Sequence, residues 1–384
     1  MTKPIYLDYA AATPMDPQVL EAMQPYFSEQ FYNPSATYLA GRNIRQVLNE
    51  ARSSIAGHLG ARPAEIVFTA GATEANNLAI QGIMRSYPDG EVLVSAVEHE
   101  SVIAPAKAFN YREIPVDQKG RIDLVRLEKM ITDKTVLVSI MYVNNELGTI
   151  QPLKEVAKIL NKLSNSRLQR GNNRPLYFHT DAAQAGNYLD LHVSRLGVDL
   201  MSLNGGKIYG PKQSGALYVK AGIKLEPIIL GGGQEFGLRS GTENVAGAIG
   251  LAAALDIAQK NHVAEAAKIT NLKKLLVEQI SQTSPGAIFN GLSKHQAPHI
   301  LSITFPGLDN ERLMMQLDEL SVICAVGSAC SARSGQPSHV LAAIGLNDAA
   351  ARSTLRFSLG RDTSEAELMS LAKRLKGILS EAIR

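Results

Sequence analysis

Lys207 and Asp181 are the residues of this 384-residue chain whose surroundings point most directly to chemistry. Lys207 ends the run Leu203-Asn204-Gly205-Gly206-Lys207, and Asp181 ends the run Phe178-His179-Thr180-Asp181 upstream of it. A lysine amine can form a Schiff base with an aldehyde, and a carboxylate can keep a pyridine nitrogen protonated so that the ring accepts electrons. The pair therefore predicts a pyridoxal 5'-phosphate site. The alternative is a surface lysine in a glycine-rich turn and an aspartate that caps a helix.

The composition excludes several other classes of protein. The chain is 45% hydrophobic and 20% charged, as in a soluble globular protein, and its net charge of +3 gives no support for a nucleic-acid or polybasic membrane surface. Its two cysteines, Cys324 and Cys330, cannot form a disulfide framework. The first residues lack the apolar core of a signal peptide, and the most apolar stretch, Val245 to Ala258, contains Asp256 and is shorter than the ~20 residues of a membrane span. We expect a cytoplasmic protein that binds neither nucleic acid nor membrane, and no metal site.

Short apolar runs alternate with longer amphipathic stretches along most of the chain. Strands are predicted at Glu65–Thr69, Val92–Ser95, Val136–Ile140, Leu176–Thr180, Leu200–Leu203 and Gly215–Val219. Helices are predicted between several of them, at Thr73–Tyr87, Leu124–Ile131 and Leu153–Leu163. This alternation predicts an α/β fold, with a mostly parallel sheet and helices on both faces. In such sheets, ligands bind at the carboxyl ends of the strands.

The pattern changes after a long helix predicted at Asn244–Gln259. Later runs predict a smaller α+β domain, with strands at Ile300–Phe305 and Ser353–Ser358 and helices at Asp309–Leu320, Ser338–Ile344 and Ser364–Ile383. We expect a large cofactor-binding domain at residues 15–260 and a small domain formed by residues 1–14 and 261–384. Two segments are expected as loops. Asn161–Pro175 is polar with turn signals, and Ala325–Pro337 consists largely of small residues that bury little surface.

Residues that follow the predicted strands are candidates for cofactor contacts. Gly71-Ala72-Thr73 opens a helix, where free N–H groups and the Thr73 hydroxyl suit a phosphate, although threonine is also a common N-cap. His99 could stack on a cofactor ring or move protons, and the alternative is an ordinary surface or core histidine. Asn145 lies in a turn-prone run, and Gln184 is predicted on the first turn of a helix that follows Asp181.

Two further candidates lie near the end of the chain. Arg356 lies within an apolar run, where a charge needs a partner, either the carboxylate of a substrate or a structural ion pair. Cys330 lies among small residues, which favours a reactive thiol, whereas Cys324 follows an apolar run and is predicted to be a core residue. The segments Gly231-Gly232-Gly233 and Arg239-Ser240-Gly241-Thr242-Glu243 suit either another approach to a phosphate or a loop that connects domains.

Together these residues resemble the cysteine desulfurases of the class V aminotransferase family, in the group that serves iron–sulfur cluster assembly. The resemblance extends from Tyr6-Leu7-Asp8-Tyr9-Ala10-Ala11 to Arg356-Phe357-Ser358-Leu359-Gly360-Arg361. Between them it includes Gly71-Ala72-Thr73-Glu74, Glu98-His99, Val143-Asn144-Asn145-Glu146, Asp181-Ala182-Ala183-Gln184, Lys207-Ile208-Tyr209-Gly210-Pro211-Lys212, Arg239-Ser240-Gly241-Thr242 and Gly327-Ser328-Ala329-Cys330. It implies an aspartate aminotransferase-like fold and a homodimer that transfers sulfur from L-cysteine to a protein acceptor such as an iron–sulfur scaffold.

The resemblance also implies a role for each candidate residue. Lys207 would carry pyridoxal 5'-phosphate as a Schiff base and Asp181 would contact the pyridine nitrogen. His99 would stack on the ring, with Asn145 and Gln184 near it. Ala72 and Thr73 would bind the phosphate, joined by Thr242 of the second subunit. Arg356 would bind the substrate carboxylate, and Cys330 would accept the sulfur.

The sequence departs from the family pattern just before the lysine. Asn204 and Gly206 stand where the family usually has serine and histidine, and both of those normally help to hold the phosphate. The segment Asn161–Pro175 is longer than usual, and the chain ends soon after its last helix, without the extended tail of some members. Two alternative functions therefore stay open: a selenocysteine lyase or other β-elimination enzyme of this family, and a non-catalytic interaction protein with the same fold.

Overall fold

A computed structural model describes residues 4–327 and 337–382 of the chain. Its strands are β1 (Ile5–Tyr6), β2 (Ile66–Thr69), β3 (Glu91–Ser95), β4 (Asn110–Ile114), β5 (Thr135–Ser139), β6 (Tyr177–Asp181), β7 (Leu200–Asn204), β8 (Gly215–Val219), β9 (Ile288–Asn290), β10 (Ile300–Thr304), β11 (Val322–Ile323) and β12 (Thr354–Ser358). Single turns of 3-10 helix lie at Pro63–Glu65, Gly205–Lys207 and Glu235–Gly237.

The α-helices lie mostly between these strands. They are α1 (Pro17–Met23), α2 (Pro25–Ser28), α3 (Leu39–Leu59), α4 (Ala72–Arg85), α5 (Glu100–Ala106), α6 (Leu124–Met130), α7 (Leu153–Gln169), α8 (Val193–Leu196), α9 (Val245–Thr283), α10 (Asn310–Glu319), α11 (His339–Ala343), α12 (Asp348–Ala351) and α13 (Glu365–Ala382). Side-chain caps begin several of them. Asp123, for example, accepts hydrogen bonds from the N–H groups of Val125 and Arg126 at the start of α6. Within the part of the chain that the structure describes, none of the helices has the length and apolarity needed to span a membrane.

The central sheet has the strand order β2-β8-β7-β6-β5-β3-β4, and β8 alone runs antiparallel to its neighbours. Its inner strands are apolar on both sides. In β3, Leu93 packs into one core cluster, while Val92 and Val94 pack into another. Because the two clusters lie on opposite faces of the strand, helices must cover both faces of the sheet. The predicted mostly parallel sheet is confirmed.

A second cluster of elements surrounds a smaller antiparallel sheet with the order β12-β10-β9. The short strand β1 pairs in parallel with β11, and Asp8 forms a bridge to Ser358 at the end of β12. A separate core cluster packs Leu301, Leu355 and Phe357 of this sheet against residues of α9, α10 and α13. The N-terminal residues are therefore part of the smaller sheet region. The division into residues 15–260 and the remainder remains a proposal.

Helix α9 is much longer than the stretch predicted at Asn244–Gln259. The segment beyond Gln259 contains neither glycine nor proline until the helix ends at Thr283, so nothing in its local sequence stops the helix. Leu251 and Leu255 pack in the core below the large sheet, whereas Leu276 and Ile280 pack in the core of the small one. One helix thus joins both cores, and the proposed boundary at residue 260 falls inside it.

The predicted loop at Asn161–Pro175 is wrong over its first part, because α7 continues to Gln169. The reason is Arg167, whose side chain is almost fully buried despite its charge. Its Nη1 donates to the carbonyl oxygen of Thr135 over 2.8 Å, and its Nη2 donates to that of Thr132. A guanidinium that satisfies two carbonyls at the start of β5 holds the last turn of α7 in place.

Arg167→Met should therefore destabilise the protein although it replaces a charge with an apolar side chain. The carbonyl oxygen of Thr135 would lose its Arg167 donor, and that of Thr132 would keep only the N–H of Thr135 over 3.0 Å, so we expect a loss of about 1–3 kcal/mol. Urea denaturation of the variant and of the parent at equal protein concentration measures this difference. Arg170→Met is the matched control, since Arg170 is exposed one turn further on and should change stability by about 0.5 kcal/mol or less. Equal effects of the two substitutions would contradict this account.

Candidate active site

A cavity of about 260 Å³ lies at the carboxyl edge of the large sheet. It is lined by the predicted residues Ala72, Thr73, His99, Asn145, Asp181, Gln184, Asn204, Lys207 and Arg356, together with Ala10, Ala11, Ser101, Met141, Val143 and Ala183. The predicted residues come from separate segments, most of which follow the ends of β2, β3, β5, β6 and β7. They meet because parallel strands bring their carboxyl ends to one edge of the sheet.

The N-terminus of α4 forms one wall of this cavity and of a neighbouring one. Gly71, the N-cap, has a φ of 124°, a conformation that a side chain would strain, and the first helical residues are Ala72 and Thr73. The first N–H groups of a helix have no acceptor within it, and the helix dipole adds partial positive charge. The neighbouring cavity is also lined by Gly206, Lys207 and Lys212, so this end of the site suits an anion.

Asp181 is a nearly buried carboxylate that ends β6 beside the cavity. Its Oδ2 accepts a hydrogen bond from Asn76 Nδ2 over 2.7 Å, and its Oδ1 accepts one from the N–H of Ala183 over 2.9 Å. Two N–H donors compensate for the removal of this carboxylate from water. The arrangement leaves a hydrogen-bonded acceptor at the cavity wall, as a contact with a protonated pyridine nitrogen requires.

Sequence reasoning did not identify Asn76 and Ser101, which connect Asp181 to His99. Asn76 is fully buried on α4, and its Nδ2 also donates to Ser101 Oγ over 2.8 Å. Ser101 Oγ lies 2.8 Å from His99 Nδ1. One signal was available, since Asn76 is a polar residue on the helix face whose other members, such as Ala75, Ala79 and Ile83, are buried. Spacing along the chain could not show what Asn76 would contact.

Lys207 lies in the single 3-10 turn that follows β7. Its Nζ donates to the carbonyl oxygen of Ala11, and its own carbonyl accepts from Asn187 Nδ2 over 2.8 Å. Asn204 lines the same cavity, and its Oδ1 accepts from the N–H of Gly206 over 3.0 Å. A Cβ built on Gly206 would come no closer than 3.5 Å to any neighbour, so a side chain can be placed there without a clash.

Gln184 lies in a series of turns rather than on the predicted helix. Its Nε2 donates to the carbonyl oxygen of Ala10 over 3.0 Å, and its Oε1 lies 3.2 Å from Nε2 of His299. His299 is buried against the ring of Tyr188, and this burial lowers the pKa of His299 to about 3. His299 is therefore neutral, and its Nε2–H fixes the orientation of the Gln184 amide at the cavity.

Arg356 contributes a nearly buried guanidinium to the cavity from β12. Its Nη2 forms an ion pair of 2.7 Å with Asp8 Oδ1, and its Nη1 donates to the carbonyl oxygen of Asn145 over 2.9 Å. Its Nε is buried and has no acceptor among the described residues. Arg356 thus forms the ion pair and also lines the cavity, and its Nε–H is a donor without an acceptor among the described residues.

Three predicted residues do not appear at this cavity. Gly206 lines only the neighbouring one. Thr242 is exposed and lies outside the lining of the cavity. Its expected contact is with the phosphate in the other subunit of a dimer. Cys330 lies outside the described residues. The prediction for Cys324 is confirmed, since Cys324 packs in the smaller core and burial raises the pKa of its thiol to about 12.

Two buried titratable groups lie close below the cavity. Glu98 precedes His99 and is fully buried, with Oε1 accepting from the N–H of Met141 over 2.6 Å. Burial raises the pKa of Glu98 well above its usual range, and the negative charge of Asp181 raises it further. His179 lies between the hydroxyl groups of Ser139 and Ser202, and burial lowers the pKa of His179 to about 3. His179 is therefore neutral near pH 7, and burial favours the protonated, neutral form of Glu98.

Glu98→Gln should remove a pH dependence of stability. Because the folded protein holds the Glu98 proton more tightly than the unfolded chain, the parent loses stability as the pH rises above about 4.5, the ordinary carboxyl pKa. The Glu98→Gln variant, which keeps an acceptor for Met141, should gain on the parent by up to about 1.4 kcal/mol per pH unit above that point. Urea unfolding at pH 5 and pH 7 measures this gain.

The exposed neighbour Glu100 provides the control for this measurement. Glu100→Gln should change the free energy of unfolding by about the same small amount at both pH values. The prediction is wrong if the parent and the Glu98→Gln variant differ by the same free energy of unfolding at pH 5 and pH 7. It is also wrong if the parent becomes more stable relative to the variant as the pH rises, because Glu98 would then be ionised in the folded protein.

Comparison with known proteins identifies the family. The family described as Aminotransferase class-V matches residues 5–371. The protein named "Cysteine desulfurase IscS" of Dictyoglomus turgidum is 39% identical over 96% of this chain and 92% of its own length, and the human "Cysteine desulfurase" is 39% identical over 95% and 79%. The solved structure titled "NIFS-LIKE PROTEIN" superposes with a TM-score of 0.90 at 32% identity over 98% of this chain and 100% of its own. The structure titled "SspA in complex with cysteine" has a TM-score of 0.80 at 35% identity over 92% and 98%. The chain therefore belongs to the class V aminotransferase family.

Proposed function

We propose that this protein is a pyridoxal 5'-phosphate-dependent cysteine desulfurase that converts L-cysteine to L-alanine and transfers the sulfur to Cys330 as a persulfide. The observation that carries this proposal is the single cavity that collects Lys207, the Asp181 carboxylate, the helix N-terminus at Thr73 and the guanidinium of Arg356. The names of the relatives support the same activity.

The donors and acceptors of the cavity fit the proposed cofactor. The N–H groups at the start of α4, with Thr73, suit its phosphate, and the acceptor oxygens of Asp181 suit a protonated pyridine nitrogen. His99 and Gln184 line the same cavity, and the Lys207 amine at its wall would form the bond to the aldehyde carbon. When bound, the cofactor would withdraw electrons from the Cα of an attached amino acid.

The side chains of the protein would bind the substrate and move its protons. The guanidinium of Arg356, with Nε lacking an acceptor among the described residues, would bind the carboxylate of L-cysteine beside Asn145. After the substrate displaces it, the Lys207 amine would take the proton from Cα. His99 would hold a second proton at the same cavity. The relative whose structure is titled "in complex with cysteine" supports this choice of substrate.

The sulfur step needs a thiol, which Cys330 would supply. Its thiolate would attack the sulfur of the substrate, so that a new S–S bond forms while the C–S bond breaks. The bonding electrons of the C–S bond stay on the carbon fragment, which becomes alanine after protonation. The persulfide would then pass to a protein acceptor such as an iron–sulfur scaffold. The proposal includes a homodimer in which Thr242 of one subunit meets the phosphate of the other, and a cytoplasmic location.

Lys207→Ala should abolish the formation of alanine from L-cysteine and the visible absorbance of lysine-bound cofactor. The lost amine both anchors the cofactor and accepts the Cα proton. Alanine and sulfide are measured with L-cysteine and a thiol reductant present. Lys220→Ala is the control, since Lys220 is exposed and pairs with Asp199 outside the cavity. A Lys207→Ala variant with the parent rate would overturn the assignment.

Cys330→Ser should retain the cofactor absorbance and bind L-cysteine, yet release almost no sulfide. Cys324→Ala should keep most activity and lose only packing stability, because Cys324 is buried in the smaller core. After a cysteine pulse without reductant, mass spectrometry should find one added sulfur on the peptide that contains Cys330. Added sulfur on Cys324 alone, or an undiminished rate in Cys330→Ser, would show that the acceptor is another group.

Replacing Asn204 with serine and Gly206 with histidine should slow the loss of cofactor on dialysis. Each restored hydrogen bond to a charged group is worth about 1.5–3 kcal/mol, and the space around Gly206 admits a side chain. The absorbance that remains after timed dialysis measures the loss, and the two single variants separate the contributions. Equal or faster loss from the double variant would mean that the residues present already hold the phosphate as well.

A further inference from the structure

The side chains of Asp181, Asn76, Ser101 and His99 form one continuous chain of hydrogen bonds beneath the cavity. Asn76 Nδ2 lies 2.7 Å from Asp181 Oδ2 and 2.8 Å from Ser101 Oγ. Ser101 Oγ lies 2.8 Å from His99 Nδ1. We propose that Asn76 and Ser101 are positioning residues that hold His99 with its proton on Nε2, and that the carboxylate of Asp181 fixes the orientation of the Asn76 amide.

The orientation of Asn76 follows from the carboxylate of Asp181. An ionised carboxylate only accepts hydrogen bonds, so the atom of Asn76 that faces it must be the Nδ2 donor. The opposite orientation would place Oδ1 against a carboxylate oxygen. The observed one leaves Oδ1 buried and without a partner among the described residues, an arrangement that costs free energy. The contact with Asp181 outweighs that cost.

The direction of the Ser101 hydroxyl follows from the backbone N–H of the same residue. Ser101 Oγ accepts a hydrogen bond from Asn76 Nδ2 and has a second lone pair, so Asn76 alone does not direct its proton. Because His99 Nδ1 is already an acceptor for a backbone N–H, the hydroxyl proton is directed at Nδ1. The backbone N–H of Ser101 donates to the same nitrogen over 3.1 Å, and an N–H group cannot accept. Nδ1 therefore receives two donors and carries no proton itself, so the proton of the neutral imidazole is on Nε2.

This tautomer decides how His99 can meet a molecule in the cavity. Because Nδ1 is occupied by Ser101, a hydrogen bond from the His99 ring to such a molecule uses Nε2, and Nε2 acts as the donor. Nε2 of His99 thus begins as a hydrogen-bond donor to that molecule, while Lys207 is the amine that takes a proton. The inference rests on the proposed function for this use of the Nε2–H group, although the tautomer itself follows from contacts within the chain.

The test is the nitrogen NMR spectrum of the full-length protein with cofactor bound and its histidines labelled with ¹⁵N. His99→Gln identifies the resonances of His99 by their loss. We expect the shift of an unprotonated nitrogen at Nδ1 and a directly bonded proton at Nε2. In Ser101→Ala one of the two donors is lost, so the two shifts should move towards each other as the other tautomer becomes populated. The kcat for alanine formation should fall roughly 2- to 13-fold, the value of one net hydrogen bond.

Two further variants separate positioning from a general effect on the fold. Ser101→Thr keeps the hydroxyl and should restore the His99 shifts of the parent. Ser139→Ala removes a similar serine from the buried His179, outside the cavity lining, and should move the resonances of His179 while leaving those of His99 in place.

The inference fails if His99 in the parent carries a proton on Nδ1, alone or together with one on Nε2. This result is obtained on the parent protein and does not depend on whether any variant folds. The inference also fails if Ser101→Ala folds and leaves both shifts unchanged. These outcomes differ from a failure of the proposed function. A parent that forms no alanine from L-cysteine yet shows Nε2–H at His99 supports the inference and refutes the desulfurase activity.

Discussion

The buried carboxylate of Asp181 is the charge around which the cavity is arranged. A buried carboxylate is tolerated only where donors replace its water, and Asn76 supplies one of them from α4. The contact fixes α4 against the end of β6, and the same helix presents its N-terminal N–H groups at Thr73. The carboxylate also adds to the shift at Glu98, because burial raises the pKa of that carboxyl and the negative charge of Asp181 raises it further. One carboxylate thus contacts the anion-binding helix and reinforces the effect of burial on its neighbour Glu98.

The N-terminal segment connects the remaining side chains of the site. Lys207 Nζ donates to the carbonyl of Ala11, Gln184 Nε2 to that of Ala10, and Arg356 Nη2 to the carboxylate of Asp8. Lys207 and Gln184 lie in turns that follow strands of the large sheet, and Arg356 lies in a strand of the small sheet. A segment of a few residues therefore binds parts of the cavity that are far apart in sequence. Its own place is fixed by the pairing of β1 with β11.

Most strands of the large sheet could be predicted from the sequence because buried strands are short apolar runs, which can be recognised without knowledge of their partners. The meeting of the residues that follow those strands could also be predicted, because parallel strands bring their carboxyl ends to one edge of the sheet. The features that the sequence did not predict depend on contacts between residues that are distant in the chain. The polar segment at Asn161–Pro175 suggested a loop, since nothing local shows that Arg167 finds carbonyl acceptors at Thr132 and Thr135. The end of α9 was predicted too early because the composition changes near Gln259, although no glycine or proline interrupts the helix there. The link from Asp181 to His99 depends on Asn76, whose partners no spacing rule supplies.

Arg356 shows how a structural ion pair and a binding site coexist in one side chain. Asp8 and the carbonyl of Asn145 each take one N–H, which holds the guanidinium plane in place. The buried Nε keeps an unused donor among the described residues, and a carboxylate ligand would complete it. The backbone of Arg356 also exchanges two hydrogen bonds with Ala325, at 2.7 and 3.1 Å. The strand that carries the guanidinium therefore also holds Ala325, which precedes Cys330 by five residues in the sequence. One backbone pairing thus connects the residue proposed to bind the substrate with the segment that leads to the proposed sulfur acceptor.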